Sequence, residues 1–263
     1  MITSYRSSKN YGDNWISAGY ALWFLRESRY LNHARNIIHF SCAVSGTGFF
    51  FSRKIADEIN GWPYHLLTED IEFSVDQITK GIKIAFCEKA VLYDEQPVFF
   101  SQSWNQRMRW SRGYPQVFRY YGKRLIKGML CDSFPCFDML MTIMPAFILS
   151  MFSVVSNITL GVWGAYIGDD IMIAVESIAR LLGTMYATLF AIGAITTVTE
   201  WKQIRTSSLK KALYAFTFPL FMFTYIPIAL VSLFHRTTWT PIKHTVTAKD
   251  FALNEERSDK KSD

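Results

Sequence analysis

An α/β unit followed by an interfacial helix and an α-helical membrane region is the fold class that this sequence predicts. Three observations carry it. Upstream of about residue 130, charged and apolar residues are mixed as in a folded domain, and short β-type runs alternate with helical ones. Downstream, residues 139–167, 181–199 and 212–234 carry no charged side chain, and a helix of about 20 residues crosses a hydrocarbon core. Between the two, SWNQRMRWSRGY at 103–114 crowds tryptophan and arginine together. The organisation expected is an α/β part over 1–100, a motif-bearing and amphipathic helix over 101–130, about three membrane helices over 131–235 and a polar tail over 236–263.

The elements follow in order. Residues 2–6 read as a strand, and 14–27 and 28–39 as helical segments. SGTGFFFSR at 45–53 reads as a glycine turn entering an apolar strand, with an amphipathic helix over 54–60 that Gly61, Trp62 and Pro63 stop. Thr68 opens another helix, in which Ile71, Val75 and Ile78 recur at helical spacing and Gly81 is the stop. IKIAF at 82–86 reads as a second strand. Tyr114 and Pro115 are expected to break the helix that carries the tryptophans. Beyond them Arg119, Lys123 and Lys127 form a basic stripe beside an apolar stripe of Val117, Tyr121 and Leu125, the pattern of a helix lying in a membrane interface.

Pro145, Pro219 and Pro227 do not veto membrane helices, which tolerate proline. Basic residues flank the first run and recur at Lys202, Arg205, Lys210 and Lys211, whereas the turn after the first run holds only Asp169 and Asp170. Positive charge stays on the cytosolic side, so residues 1–138 and 200–211 are expected in the cytosol of a multi-pass plasma-membrane protein. Arg236 and Lys243, near the membrane in the tail, disagree with a third span that ends outside. Glu176 and Arg180 read as a local helical pair. The formal charge of +6 would suit nucleic acid, but its clustering beside apolar runs does not, and no nucleic-acid partner is expected. The four cysteines, Cys42, Cys87, Cys131 and Cys136, form no CxxC pair and read as reduced.

Two motifs carry chemistry. Thr68-Glu69-Asp70 places carboxylates in the first turn of a helix, where the backbone dipole favours negative charge, so Asp70 is expected to be ionised and able to accept a proton. Gln106, Arg109 and Trp110 stand at i, i+3 and i+4, on one helical face. A guanidinium forks onto phosphate oxygens, and an indole offers a flat surface to the apolar face of a sugar. Either motif alone also suits a capped helix or a juxtamembrane segment.

Together with SGTGFFFSRK at 45–54 and Gly61-Trp62, in this order and spacing and ahead of apolar helices, TED at 68–70 and QRMRW at 106–110 resemble the processive family 2 glycosyltransferases. These include the cellulose, chitin, hyaluronan and bacterial poly-N-acetylglucosamine synthases; WTPIKH at 239–244 is similar to a recurring feature of the group. The resemblance implies part of a GT-A-like domain with a Rossmann-like sheet remnant, and a membrane-bound inverting hexosyltransferase acting on a UDP-sugar, with N-acetylglucosamine as the sugar, and a growing β-linked glycan. It implies Asp70 as general base, Gln106 and Arg109 at the diphosphate, Trp110 at the acceptor sugar, and Gly46, Thr47, Thr68 and Glu69 lining the substrate site.

The family's metal, Mg2+ or Mn2+, is held by a DxD that this sequence lacks. The chain is therefore expected to correspond to the C-terminal portion of such a synthase, with an unpaired sheet edge and an uncovered apolar face, and not to bind a nucleotide sugar tightly without a missing N-terminal half or other synthase subunits. The alternative is a non-catalytic membrane protein that binds glycan or assembles with a full-length synthase.

Overall fold

A computed structural model of the protein describes residues 1–131, 133–143, 145–168 and 171–234. Strand β1 (Ile2–Ser8) buries Thr3, Tyr5 and Ser7 and leaves Ile2, Ser4 and Arg6 partly exposed, the two-residue period of a sheet covered on one side. It is the central strand. β2 (Phe49–Phe50) pairs with it antiparallel, and β3 (Ala85–Asp94) pairs parallel from Ile2–Ala85 to Ser8–Asp94, with residues 88–90 bulging out. The open side holds an apolar groove of about 340 Å3 lined by Ile2, Ser4, Gly48, Phe50 and Leu92 among others.

Of residues 82–86 only Ala85 and Phe86 belong to the expected strand; β3 begins at Ala85 and runs on to Asp94. The reason is the end of α4 (Glu69–Thr79). Gly81, at φ +77°, donates to the Ile78 carbonyl at 2.9 Å and Ile82 to the Gln77 carbonyl at 3.0 Å, so this stretch first closes the helix. The start at Thr68 and the stop at Gly81 are where the pattern places them, although the Thr68 hydroxyl makes no capping bond.

Helix α1 (Trp15–Arg26) starts at a reciprocal cap, Asn14 Oδ1 accepting from the Ile16 and Ser17 amides and Ser17 Oγ accepting from Asn14 N–H. It is buried nearly all round, then widens into a π-helical segment, Glu27–Asn32, before α2 (His33–Ile37). A short helix, α3 (Arg53–Ile59), ends at Asn60 and Gly61, both at positive φ.

Helix α5 runs unbroken over Phe100–Leu130, through Pro115. The expected break at Tyr114 and Pro115 is absent because the chain is held on both sides of it. Gly113 abuts Thr68, Val117 and Leu125 are fully buried, and the Tyr121 hydroxyl donates to Glu72 at 3.1 Å. An interior proline costs about 3 kcal/mol, and burying two aliphatic side chains returns about 3–6 kcal/mol. The stripe of Val117, Tyr121 and Leu125 thus packs on protein rather than lipid, while Arg119, Lys123 and Lys127 are exposed.

The described residues of the first apolar run fall in two helical stretches. Its start belongs to α6 (Phe134–Ile143), whose Cys136, Met139, Leu140 and Ile143 are buried in the same core, and its remainder to α7 (Pro145–Tyr166). α8 (Ile171–Thr199), α9 (Ser208–Phe223) and α10 (Tyr225–Phe234) contain the other two runs. Among the described residues two stretches, Val175–Thr199 and Ser208–Phe234, are long and apolar enough to cross a membrane, and the most apolar windows of the two are only 17% and 33% buried within the protein. Glu176 and Arg180 form the local pair expected, at 2.6 Å. Asp169, Asp170 and residues 236–263, with Arg236, Lys243 and WTPIKH, lie outside the described residues. The four cysteines are unbonded.

Candidate active site

The site is built where the end of β1, the loop 45–48, the start of α4 and the middle of α5 meet. The loop needs glycine. Gly46 and Gly48 have φ +72° and +65°, and a Cβ on Gly48 would stand 2.1 Å from Ser4 Oγ. The loop is tied to α4 by a relay, in which the Val44 amide donates to Ser74 Oγ at 2.9 Å and that hydroxyl donates to the Asp70 carbonyl at 2.9 Å. Gly46 is thereby set against Asp70; a Cβ there would lie 3.4 Å from Oδ2. Arg6 braces the loop by donating to the Ser45 carbonyl at 2.8 Å and hydroxyl at 3.1 Å, pairs with Asp94, and lies 3.5 Å over the Phe24 ring.

The carboxylates of α4 divide their work. Glu72 accepts from the His65 and Leu66 amides and the Tyr121 hydroxyl, stapling the preceding loop and α5 together. Asp76 accepts from Tyr64 and pairs with Lys80 and Arg124. Asp70 makes no ion pair among the described residues. Burial pushes its carboxyl up to about 6; the Ile71 amide and Arg6 oppose this, and the charges of Glu69 and Glu27 add to it. The direction is opposite to that expected from the helix terminus, because crowding by protein outweighs the dipole.

Helix α5 brings the second motif to the same place. Thr68 is buried against Gly113, where a Cβ would fall 2.5 Å from Thr68 Cγ2. Trp110 stands edge-on to Tyr20 at 5.7 Å and to Phe24 at 6.0 Å. Arg109 lies within electrostatic reach of Tyr20, and Gln106 Oε1 is enclosed with no hydrogen-bond partner among the described residues. Tyr114, one turn after Trp110, is reached by the charges of Glu27, Asp70 and Arg26, and burial raises its phenol above the usual range. Asp70 is thus within electrostatic reach of Tyr114, which stands one turn from Trp110 on α5. Thr47 lies in the loop beside Gly46, and Glu69 beside Asp70.

Among the described residues no three His, Cys, Asp or Glu side chains are grouped so as to hold a metal ion. Asp70, Glu69 and Glu27 are therefore not such a group, and the DxD that would hold the expected Mg2+ or Mn2+ does not occur in the sequence.

Residues 2–246 match the profile described as glycosyl transferase family group 2. The chain belongs to this family. Two curated relatives are similar over shorter stretches. A probable glycosyltransferase, YdaM, of Bacillus subtilis (strain 168) is 31% identical over 91 residues, which are 32% of this chain and 22% of that protein. A probable glycosyltransferase of Sulfolobus acidocaldarius is 33% identical over 86 residues, 32% of this chain and 18% of the other. The chain spans about a fifth of the length of the curated relatives it matches.

In this family group 2 glycosyl transferase, the sequence motifs did not reveal the wall opposite α4. Tyr20, Phe24 and Arg26 come from α1, Glu27 from the π-helical segment, and Arg6 from β1. The aromatic run GYALWF at 19–24 was the available signal for the first two; the acid and the arginine beside it carry no spacing signature.

Proposed function

We propose that the protein acts in a membrane-bound, inverting glycosyltransferase that moves a sugar, N-acetylglucosamine, from a UDP-sugar to a growing β-linked polysaccharide. A hydroxyl of the acceptor attacks the anomeric carbon, forming the new C–O bond as the bond to the diphosphate breaks. Its proton passes to the Asp70 carboxylate. Gln106 and Arg109 hold the departing diphosphate as its charge grows, Trp110 supports the acceptor ring, and Gly46, Thr47, Thr68 and Glu69 line the cleft.

The observation that carries this reading is the placement of Asp70. It is a carboxyl in no ion pair among the described residues, raised to about 6, with a glycine loop against it and Trp110 one helical turn beyond the tyrosine that feels its charge. A base of that strength is largely ionised at neutral pH yet holds a proton better than an exposed aspartate. The uncovered apolar surface of Val175–Thr199 and Ser208–Phe234 supports a multi-pass placement, and the exposed Arg119, Lys123 and Lys127 support a cytosolic catalytic face at an anionic bilayer.

The test is incorporation of radiolabelled UDP-N-acetylglucosamine into polymer by membranes that contain the chain and its co-expressed partner subunits. Asp70→Asn should lower incorporation by about 10²–10⁴-fold with an unchanged amount of chain in the membrane. Synthesis at the original rate by that variant would overturn the assignment.

A further inference from the structure

Arg107 lies between the residues of the sugar-handling turn yet takes no part in the cleft. It is the largest fully buried side chain described, and no carboxylate pairs with it among the described residues. Its Nη1 donates to the Phe221 carbonyl at 3.0 Å and to Thr224 Oγ1 at 2.5 Å, and its Nε to the Ser103 carbonyl at 3.5 Å. Its guanidinium carbon stands 4.4 Å from the Phe221 ring centre and 4.9 Å from that of Tyr225.

Those partners mark the break between α9 and α10. Pro227 has no N–H, so the Phe223 carbonyl at the end of α9 goes without its helical donor, two residues past the Phe221 carbonyl that Arg107 reaches. The carbonyl end of a helix is also its negative pole, where a cation is favoured. Arg107 brings that cation from α5 and donates to the Phe221 carbonyl in the last turn of α9. A buried cation without a carboxylate is an expensive way to join helices, and apolar side chains would do it more cheaply. Its special product is orientation. Tyr20 donates to the Ser103 carbonyl, stands 5.0 Å from the Phe221 ring, and meets Trp110 edge-on. The acid side of the cleft is anchored separately, by Thr68 on Gly113 and by Glu72 to Tyr121.

We infer that Arg107 is a positioning residue, which clamps the α9–α10 break to α5 so that Tyr20 and Phe221 hold the Trp110 ring in place for the acceptor glycan. The inference rests on the role proposed for Trp110. It is tested on the full chain in nanodiscs with three readouts: hydrogen exchange of the amides at 224–226, the affinity for chitopentaose, and the titration of Asp70 read from the pH dependence of thermal stability. Arg107→Met should speed exchange at 224–226 at least tenfold and weaken chitopentaose binding about tenfold, while the Asp70 titration stays near 6. Arg107→Lys, which restores the charge without the fork, should recover part of both losses. Loss of chitopentaose binding together with a displaced Asp70 titration would mean general loosening and overturn the role, as would unchanged binding and exchange. Should Arg107→Met fail to fold, Thr224→Val keeps the cation and must still weaken chitopentaose binding two- to threefold without moving Asp70; no change there also overturns it. If the unaltered chain does not bind chitopentaose, the reading of Trp110 fails and the positioning role falls with it, whereas the exchange readout still reports whether the clamp exists.

Discussion

Replacing Asp70 by asparagine should slow transfer by about 10²–10⁴-fold and at the same time stabilise the protein. The folded carboxyl titrates near 6 against an ordinary 3.8, so between those values the folded chain binds more protons than the unfolded one. Stability therefore falls as pH rises through that window; the penalty is absent below it and complete above it. The difference corresponds to about 3 kcal/mol at neutral pH. Asp70 is only half-buried, and solvent screens part of this, which leaves about 1–3 kcal/mol. Asparagine fills the same space and can still accept from the Ile71 amide, but it carries no charge to be crowded. The assay is thermal unfolding of the full chain in nanodiscs from pH 4 to pH 8, with Asp70→Asn beside the original. At pH 7.5 the variant should melt about 2–10 °C higher, and the two curves should converge near pH 4. A gap of constant size across the range would show that Asp70 is not perturbed, and the argument for a tuned base would be lost.

Other perturbations test neighbouring contacts. Gly113→Ala should destabilise by about 1–2 kcal/mol, because overpacking against buried Thr68 costs about 1–3 kcal/mol and the helical preference for alanine returns about 1 kcal/mol; adding Thr68→Ala, which removes both of its nearest clashing atoms, should recover most of that loss in denaturation. Gly81→Ala meets open space, so its effect should come from the left-handed backbone alone, about 1–2 kcal/mol, and should not respond to any second-site change. Glu27→Gln removes a charge that raises Asp70, so the titration of Asp70 should move to lower pH; an unmoved midpoint would exclude Glu27 from the site.

What was legible in the sequence was local. Thr68, the Ile71-Val75-Ile78 spacing and Gly81 define α4 because a helix start, its buried face and its glycine stop are all written within a few residues. Pro115 misled for the complementary reason. Its cost is local, and what offsets it comes from α4 and the buried core. The same holds at 139–143, where composition suggested the lipid-facing start of a span but the side chains of α6 are buried in the protein core. Arg107 is, by sequence, one more of the basic residues that flank the first apolar run. Its partners are Phe221 and Thr224, more than a hundred residues along the chain, and no periodicity points to them. The candidate site divides in the same way: Gly46, Asp70 and the QxxRW turn could be found as motifs, whereas Arg6, Arg26 and Glu27 become part of it only once β1 and the π-helical segment are folded against them.

The ionisation of Asp70 shows why position in a helix is a poor guide to acidity. A first-turn carboxylate gains about 0.3–1 kcal/mol from the helix dipole at a surface, which would lower its value by less than one unit. Removing water from around it acts the other way and can reach several units. Here the loop 45–48 lies against the carboxyl, Tyr114 comes close from α5, and the acids Glu69 and Glu27 are both near, against only Arg6 and one amide in opposition. Arg6 is itself committed to Asp94 and Ser45, so its charge is partly spent before it reaches Asp70. The net displacement upward is therefore a property of four separate segments converging, and it should vanish in any variant that opens the contact between α4 and α5 while leaving the TED motif intact.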